Sequence, residues 1–575
     1  GSNNWTPNNF SVASGSGNDS LVDTPTSYGT DTGAGGEVRG NYGTFNALVL
    51  NGNTLTNGNL SYLAGAANKP TLTTFGIPPT GKWYFEFTDV DSSGSFTGGV
   101  GTESVSVSSY LGSDANGWGY QTHPSNAGYH NNGVFTTTGR INGAGSNTIL
   151  GVAIDRDAQK IWFSVNGTFV NSGAPASGTN AQYSNLPTSG FLLPGASTNN
   201  AANIHFNAGQ RAFAYTAPSG FKALCTANLP APLVTKPNTV MDVVLYTGTG
   251  SSLTLPYASS TPTSIAFTPD LVWIKGRSGA TDHALYDAVR DVQKDLASNS
   301  TAAETTQSTS LTAFGTNTFT IGSLAKLNTS SATYAAWCWD AGTTTDPNNT
   351  AGSITSSCRT NQSSGFSIVS YTGNGGSNVS VGHGLGIAPV LLIVKSRSTA
   401  NDWDVTYTFG DGSYDFMSLN TTAAKLDIAG RSAPTSTLFY VNGGLSNVNG
   451  TTYVAYAWAP VAGYSSFGSY TGNGSTDGPF VYTGFRPKWL MIKVTNISGE
   501  SWVMKDAVRN PYNPVEANFY ADLSASEQTS NAPRLIDFTS NGFKLRGTEV
   551  SVNGSGNTYV YMCFAESPFQ FSRAR

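Results

Sequence analysis

One short stretch returns three times in the C-terminal part of the chain: Tyr246–Gly250 (YTGTG), Tyr371–Gly375 (YTGNG) and Tyr470–Gly474 (YTGNG). Each copy is followed by an apolar run ending in lysine, with a proline six positions ahead of that lysine: Phe267–Lys275, Ile387–Lys395 and Phe485–Lys493. Each then closes on an aromatic run, Tyr334–Trp339, Tyr453–Trp458 and Tyr559–Phe564. Three landmarks in one order, three times, define a tandem array of one unit of about 100 residues. The apolar run has the length and β-branched content of a buried strand. Its proline suits a strand start, where no ladder donor is required. The closing run alternates aromatic and small residues and reads as a central strand, so each unit is expected to be a small β-sandwich.

Composition supports an all-β reading and narrows the partners. Charged residues make up 11% of the 575, against about 25% in typical soluble proteins. Gly, Ser, Thr and Asn take their place, residues of strands and tight turns. A net charge of −5 with no basic cluster argues against nucleic acid as the main partner. No apolar run approaches the roughly 20 residues of a membrane span, and no signal peptide is visible, so membrane insertion is not expected. Four cysteines are too few for a disulfide framework. Cys338 and Cys563 fall at the same place in two closing runs and read as buried core thiols.

Domain boundaries follow from composition. Residues 1–39 are a polar tract, an arm or linker; 40–230 form a first β-domain; Asn228–Pro237, with three prolines, is a stiff connector. The repeats are placed at 238–342, 365–460 and 465–575. Within the first domain, Asn51-Gly52 and Asn57-Gly58 signal hairpins. Gly151–Gly167 (GVAIDRDAQKIWFSVNG) reads as strand, acidic turn, strand and Asn-Gly turn. That segment resembles the core hairpin of SPRY domains. Lys82–Phe87, Gly98–Gly101, Gly117–Tyr120 and Phe206–Gln210 resemble further landmarks of that family, in order. The resemblance implies a bent sandwich of two antiparallel sheets, acting as a binding module with ligand-selecting loops at one edge.

The loop Trp118–His130 mixes aromatics and histidines with small polar residues, a combination suited to stacking on a sugar face and bonding its hydroxyls. Trp118, Tyr120, His123, Tyr129 and His130 are the candidate ligand-binding residues. Trp118 and Tyr120 also fit core positions, whereas Tyr129 and His130 are expected to be more exposed. Asp89–Gly94 looks like half a calcium loop without its distal glutamate and reads better as a turn. The chain has no G-x-S-x-G elbow, P-loop or H-E-x-x-H motif. No enzyme activity, metal or cofactor is expected.

Inside the repeats, Asp282–Leu296 is a helical candidate. Asp287–Arg290 (DAVR) returns as Asp506–Arg509 in the third unit, while the second has Trp403–Tyr407 there. A structural ion pair fixing a loop is the expected role. The repeated lysines Lys275, Lys395 and Lys493 are expected to snorkel from the strand ends, with an isopeptide cross-link as the remote alternative. The units resemble a repeat domain of unknown function in structural proteins of tailed phages, especially marine ones, and Asn3–Asp23 resembles the opening of such proteins. This resemblance implies a virion protein, a tail fibre or capsid fibre/decoration, bound to other virion proteins and displayed on the particle surface. It would attach to host-cell glycans, with tandem rigid domains extending its reach and a homotrimer as the assembly. A secreted bacterial adhesin or filament subunit and a tailspike-type polysaccharide depolymerase are the alternatives.

Overall fold

The computed structural model describes residues 41–65, 68–90, 95–143, 146–198, 202–409, 413–529 and 532–569. The N-terminal arm, the stretch Asn3–Asp23 and most of Asp89–Gly94 lie outside the described residues. The chain is all-β. The first domain stacks a seven-stranded and a six-stranded antiparallel sheet. The first sheet centres on β1 (Lys82–Asp89), β5 (Thr148–Asp155), β6 (Lys160–Val165) and β8 (Asn203–Asn207). The second centres on β2 (Phe96–Gly101), β3 (Gly117–Thr122), β4 (Gly128–Asn131) and β7 (Leu193–Ser197). The strands β5 and β6 pair from Asp155↔Lys160 to Leu150↔Val165, the hairpin expected from the acidic turn.

Each repeat builds the same four-stranded core in the order first, closing, lysine-run, following strand. In the first unit these are β9 (Met241–Thr247), β12 (Thr333–Trp339), β10 (Leu271–Gly276) and β11 (Ala284–Asp287). In the second they are β13 (Phe366–Thr372), β16 (Thr452–Trp458), β14 (Leu391–Ser396) and β15 (Asp404–Tyr407). In the third they are β17 (Ser465–Thr471), β20 (Thr558–Pro568), β18 (Phe485–Val494) and β19 (Val503–Asp506). A small sheet or hairpin covers one face of each core. The helix expected in Asp282–Leu296 is absent: the segment forms β11, a turn, and a short strand at Lys294–Asp295. Pairing of the fully buried Ala284–Asp287 with β10, with Asp287 capping the turn amides of Val289 and Arg290, overrides its helical propensity. Residues 345–361, between the bounds expected for the first two repeats, add two strands to the sheet of the second unit.

The repeated turn is explained by packing. The tyrosine of YTG stacks on the first tyrosine of the closing run, at 5.1, 5.2 and 4.8 Å between ring centroids in the three units. Its hydroxyl donates to the carbonyl of Leu327, Ser446 or Val552. A buried asparagine, Asn328, Asn447 or Asn553, accepts the amide of Thr249, Asn374 or Asn473. The glycine is required because a Cβ on Gly248, Gly373 or Gly472 would sit 2.3 to 2.4 Å from a backbone oxygen.

The central strands are buried on both faces. One face of β9 and β12, including Val244, Tyr246, Ala336 and Cys338, packs in the unit's own sandwich. The other face, including Val243, Trp337 and Trp339, joins a core that also contains Tyr456 and Trp458 of the second unit and Trp489, Trp502 and Phe564 of the third. The three units therefore close around one shared apolar centre. They do not extend as a row, which corrects the expectation that tandem domains lengthen reach. A head-to-tail contact that returns to its start closes a ring.

The same bonds recur at each of the three seams. The amides of Thr281, Asn401 and Gly499 donate to the carbonyls of Ser524, Thr301 and Thr422 in the neighbouring unit. The amides of Glu304, Lys425 and Glu527 donate back to Arg397, Thr495 and Arg277. The repeated lysines stand between these strands. Lys275, Lys395 and Lys493 are fully buried, and their ammonium groups donate across the seams to the carbonyls of Ser524 (3.1 Å), Thr301 (3.0 Å) and Thr422 (3.4 Å). They do not snorkel; burial pushes each down to about 8.

Two seams carry a buried charge chain. Arg290 bridges Asp287 and Glu304, Arg397 of the second unit also binds Glu304, and Tyr456 donates to Asp287. Arg509, Asp506, Glu527, Arg277 and Trp337 repeat the arrangement between the third and first units. The Asp-Arg pair thus does more than fix a loop: it joins units. At the third seam the equivalents of Asp287 and Arg397 are Tyr407 and Thr495. The contact there is apolar, through Tyr407, Phe409, Met491, Trp502 and Met562 around a void of about 10 Å³.

Candidate functional site: the free loop edge of the first domain

The first domain docks by one end. Strand β2 runs towards Gly101, and beyond it Glu103 and Val105 reach the third unit. Val105, Leu72, Leu111 and Leu193 pack with Phe480 and Tyr482. Phe191 meets Tyr482 at 4.8 Å. Asn541 and Lys544 donate to the carbonyls of Thr74 and Leu48. Among the described residues, the loops at the other end of the same strands, 123–127 and 137–143, are the free edge.

Their geometry is ordered by side chains. His123 Nδ1 accepts the amides of Ser125 (3.1 Å) and Asn126 (2.9 Å). Nδ1 is therefore the acceptor, and the ring proton sits on Nε2, turned away from those amides. Arg140 donates to Asn126 Oδ1 at 3.3 Å, and Asn142 Oδ1 accepts the amide of Ala127 at 3.3 Å. Pro124, Ser125, Asn126, Arg140 and Asn142 are exposed and His123 partly so. The result is a polar rim with donors and acceptors side by side and one cation, chemistry that suits hydroxyl- and carboxylate-bearing ligands.

The other four candidate residues are buried along β3 and β4, not on this rim. Trp118 and Tyr120 are core residues; the Trp118 indole donates to Asn185 Oδ1 and the Tyr120 hydroxyl to Ile141 O. Tyr129 and His130 are also buried, contrary to the exposure expected of them. Tyr129 meets Tyr183 edge to face, and His130 stacks on Phe135 at 4.5 Å beside Tyr110. Burial holds His130 down to about 4. The physical reason is strand parity. Trp118 and Tyr120 share the inward face of the strand that Gly117 opens, with Tyr129 across from Tyr120, whereas His130 points to the opposite face and is covered there by Tyr110 and its cross-strand neighbour Phe135. Arg140 was not singled out from the sequence; it lies beyond the aromatic loop, and only folding brings it to Asn126.

Among the described residues no group of three or more His, Cys, Asp or Glu is placed to hold a metal ion. All four cysteines are buried and none is in a disulfide.

A family profile described as a domain of unknown function (DUF7483) matches residues 236–568, more than half of the chain. The chain belongs to the DUF7483 family. That single DUF7483 domain spans all three units, in keeping with their shared core. A second profile, described as an SPRY domain, matches residues 82–211, so the DUF7483 ring carries an SPRY domain. Similar solved structures include a TRIM65 PSpry domain (14% identity, 29% of this chain and 92% of that one, TM-score 0.23). The SPRY domain of human HERC1 is another (16% identity, 27% and 91%, TM-score 0.22), as is stonustoxin (17% identity, 29% and 27%, TM-score 0.23). No curated protein matches the chain.

Proposed function

We propose that this protein is a virion structural component of a tailed phage, a tail fibre or capsid fibre/decoration, that presents its SPRY domain to host-surface glycans. The observation that carries the reading is the placement of the SPRY loop edge. The ring grips one end of the domain and leaves the His123–Asn126 and Arg140 rim facing outward. The ring contributes rigidity, not reach. A hydroxyl- and amide-rich surface of low charge would give weak contacts to sugars, and many copies on a particle would turn these into useful avidity.

The full chain is tested on a glycan array beside an Arg140→Ala, Asn126→Ala double variant. Glycan binding lost in the double variant supports the proposal. No binding by the wild-type chain, or binding untouched by the double variant, refutes the role of the rim. Mass spectrometry of purified virions tests the location.

A further inference from the structure

Among the described residues, the contact between the SPRY domain and the ring contains a carboxyl without a cation. Glu103 extends from the loop after β2, and its carboxyl takes a hydrogen bond from the Tyr561 hydroxyl of the closing strand of the third unit at 3.3 Å. Tyr561 is unique to that unit: register places Ala336 and Ala455 at the same position in the others. Its hydroxyl lies 3.2 Å from Ser466 Oγ. Tyr482 is the other titratable group facing Glu103. Both tyrosines are neutral, and burial holds both above their ordinary range. The remaining charged groups of the contact, Lys544 and Asp477, pair with each other at 2.7 Å. Among the described residues nothing positive therefore answers part-buried Glu103, and desolvation at the contact pushes it up to about 8.

We infer that ionisation of Glu103 loosens the docking of the SPRY domain on the third unit, so that this contact is tight in acid and weakens as pH rises. The sign follows from proton linkage. Docked, Glu103 holds its proton to higher pH than when the domain is free, so docking takes up a proton between the two midpoints. Each pH unit between about 4.5 and about 8 then weakens docking by up to about tenfold, and above that the effect levels off. Release uncovers the apolar patch formed by Leu72, Leu193, Phe480 and Tyr482.

The test is amide hydrogen exchange on the full chain at pH 5, 6.5, 8 and 9, with rates corrected for their intrinsic pH dependence. Peptides covering Thr71–Phe75 and Phe480–Tyr482 should lose protection from pH 5 to 8 and change little from 8 to 9. Leu391–Ser396, remote from the contact, reports global stability and should stay protected. Glu103→Gln cannot ionise and should keep its acid-level protection at every pH. The inference is overturned if wild-type protection at the contact does not change with pH. It is overturned equally if Glu103→Gln follows the wild-type profile, or if Leu391–Ser396 opens in parallel.

Discussion

Arg290→Met tests whether the ring is one cooperative body. In the native ring this guanidinium is fully enclosed and touches Asp287, Glu304 and the Tyr456 hydroxyl of the next unit. Methionine retains most of the volume and removes the charge. Glu304 keeps Arg397, but Asp287 is left as a buried carboxylate with two backbone amides and one tyrosine. Breaking one partner of a buried ion network costs about 3–5 kcal/mol. That raises the open fraction by roughly two to three and a half orders of magnitude. The local seam belongs to units one and two, yet the apolar centre is shared by all three. Exchange measured peptide by peptide should therefore rise together in β12, β16 and β20, and calorimetry should show one transition moved down in temperature. Loss of protection in the first unit alone, with β20 unchanged, would refute the shared-core reasoning.

Gly373→Ala places a Cβ 2.4 Å from the Val448 carbonyl oxygen and should destabilise the ring by about 1–3 kcal/mol, read from a urea midpoint. The three seam lysines give a pH signature. Their native values of about 8 lie below the 10.5 of the free side chain, so the native state releases protons first. Ring stability should then rise between pH 8 and 10 by up to about 1.4 kcal/mol per pH unit for each lysine, and Lys395→Met should reduce that slope. His130, held near 4 by burial, has the same sign at lower pH: the SPRY domain should lose stability as pH falls from about 6.5 towards 4. Thermal melts of His130→Phe, which should flatten that dependence, check it.

The units themselves were readable because their determinants are local. The proline-to-lysine spacing, the closing aromatic run and the YTG turn each specify a strand or its end, and Cys338 and Cys563 fall in the core as their positions implied. Closure of the ring was not readable, because its determinants pair distant residues. Lys275 meets Ser524, and Arg277 meets Glu527, only after the whole ring has formed. The lysines looked like snorkelling strand ends, since a sequence does not show a neighbouring unit lying over them. In the SPRY domain the aromatic loop reaches the end of the sandwich that faces away from the ring. Strand parity then sent Trp118, Tyr120 and Tyr129 inward, leaving His123 with Arg140, Asn126 and Asn142 at the surface.

The shared core is tested most directly by small-angle X-ray scattering of the full chain. Three units closed around one centre, with the SPRY domain docked on the third, should give a radius of gyration near the roughly 25 Å of a compact chain of this length. A value above about 35 Å with a rod-like distance distribution would contradict the ring and restore the extended row.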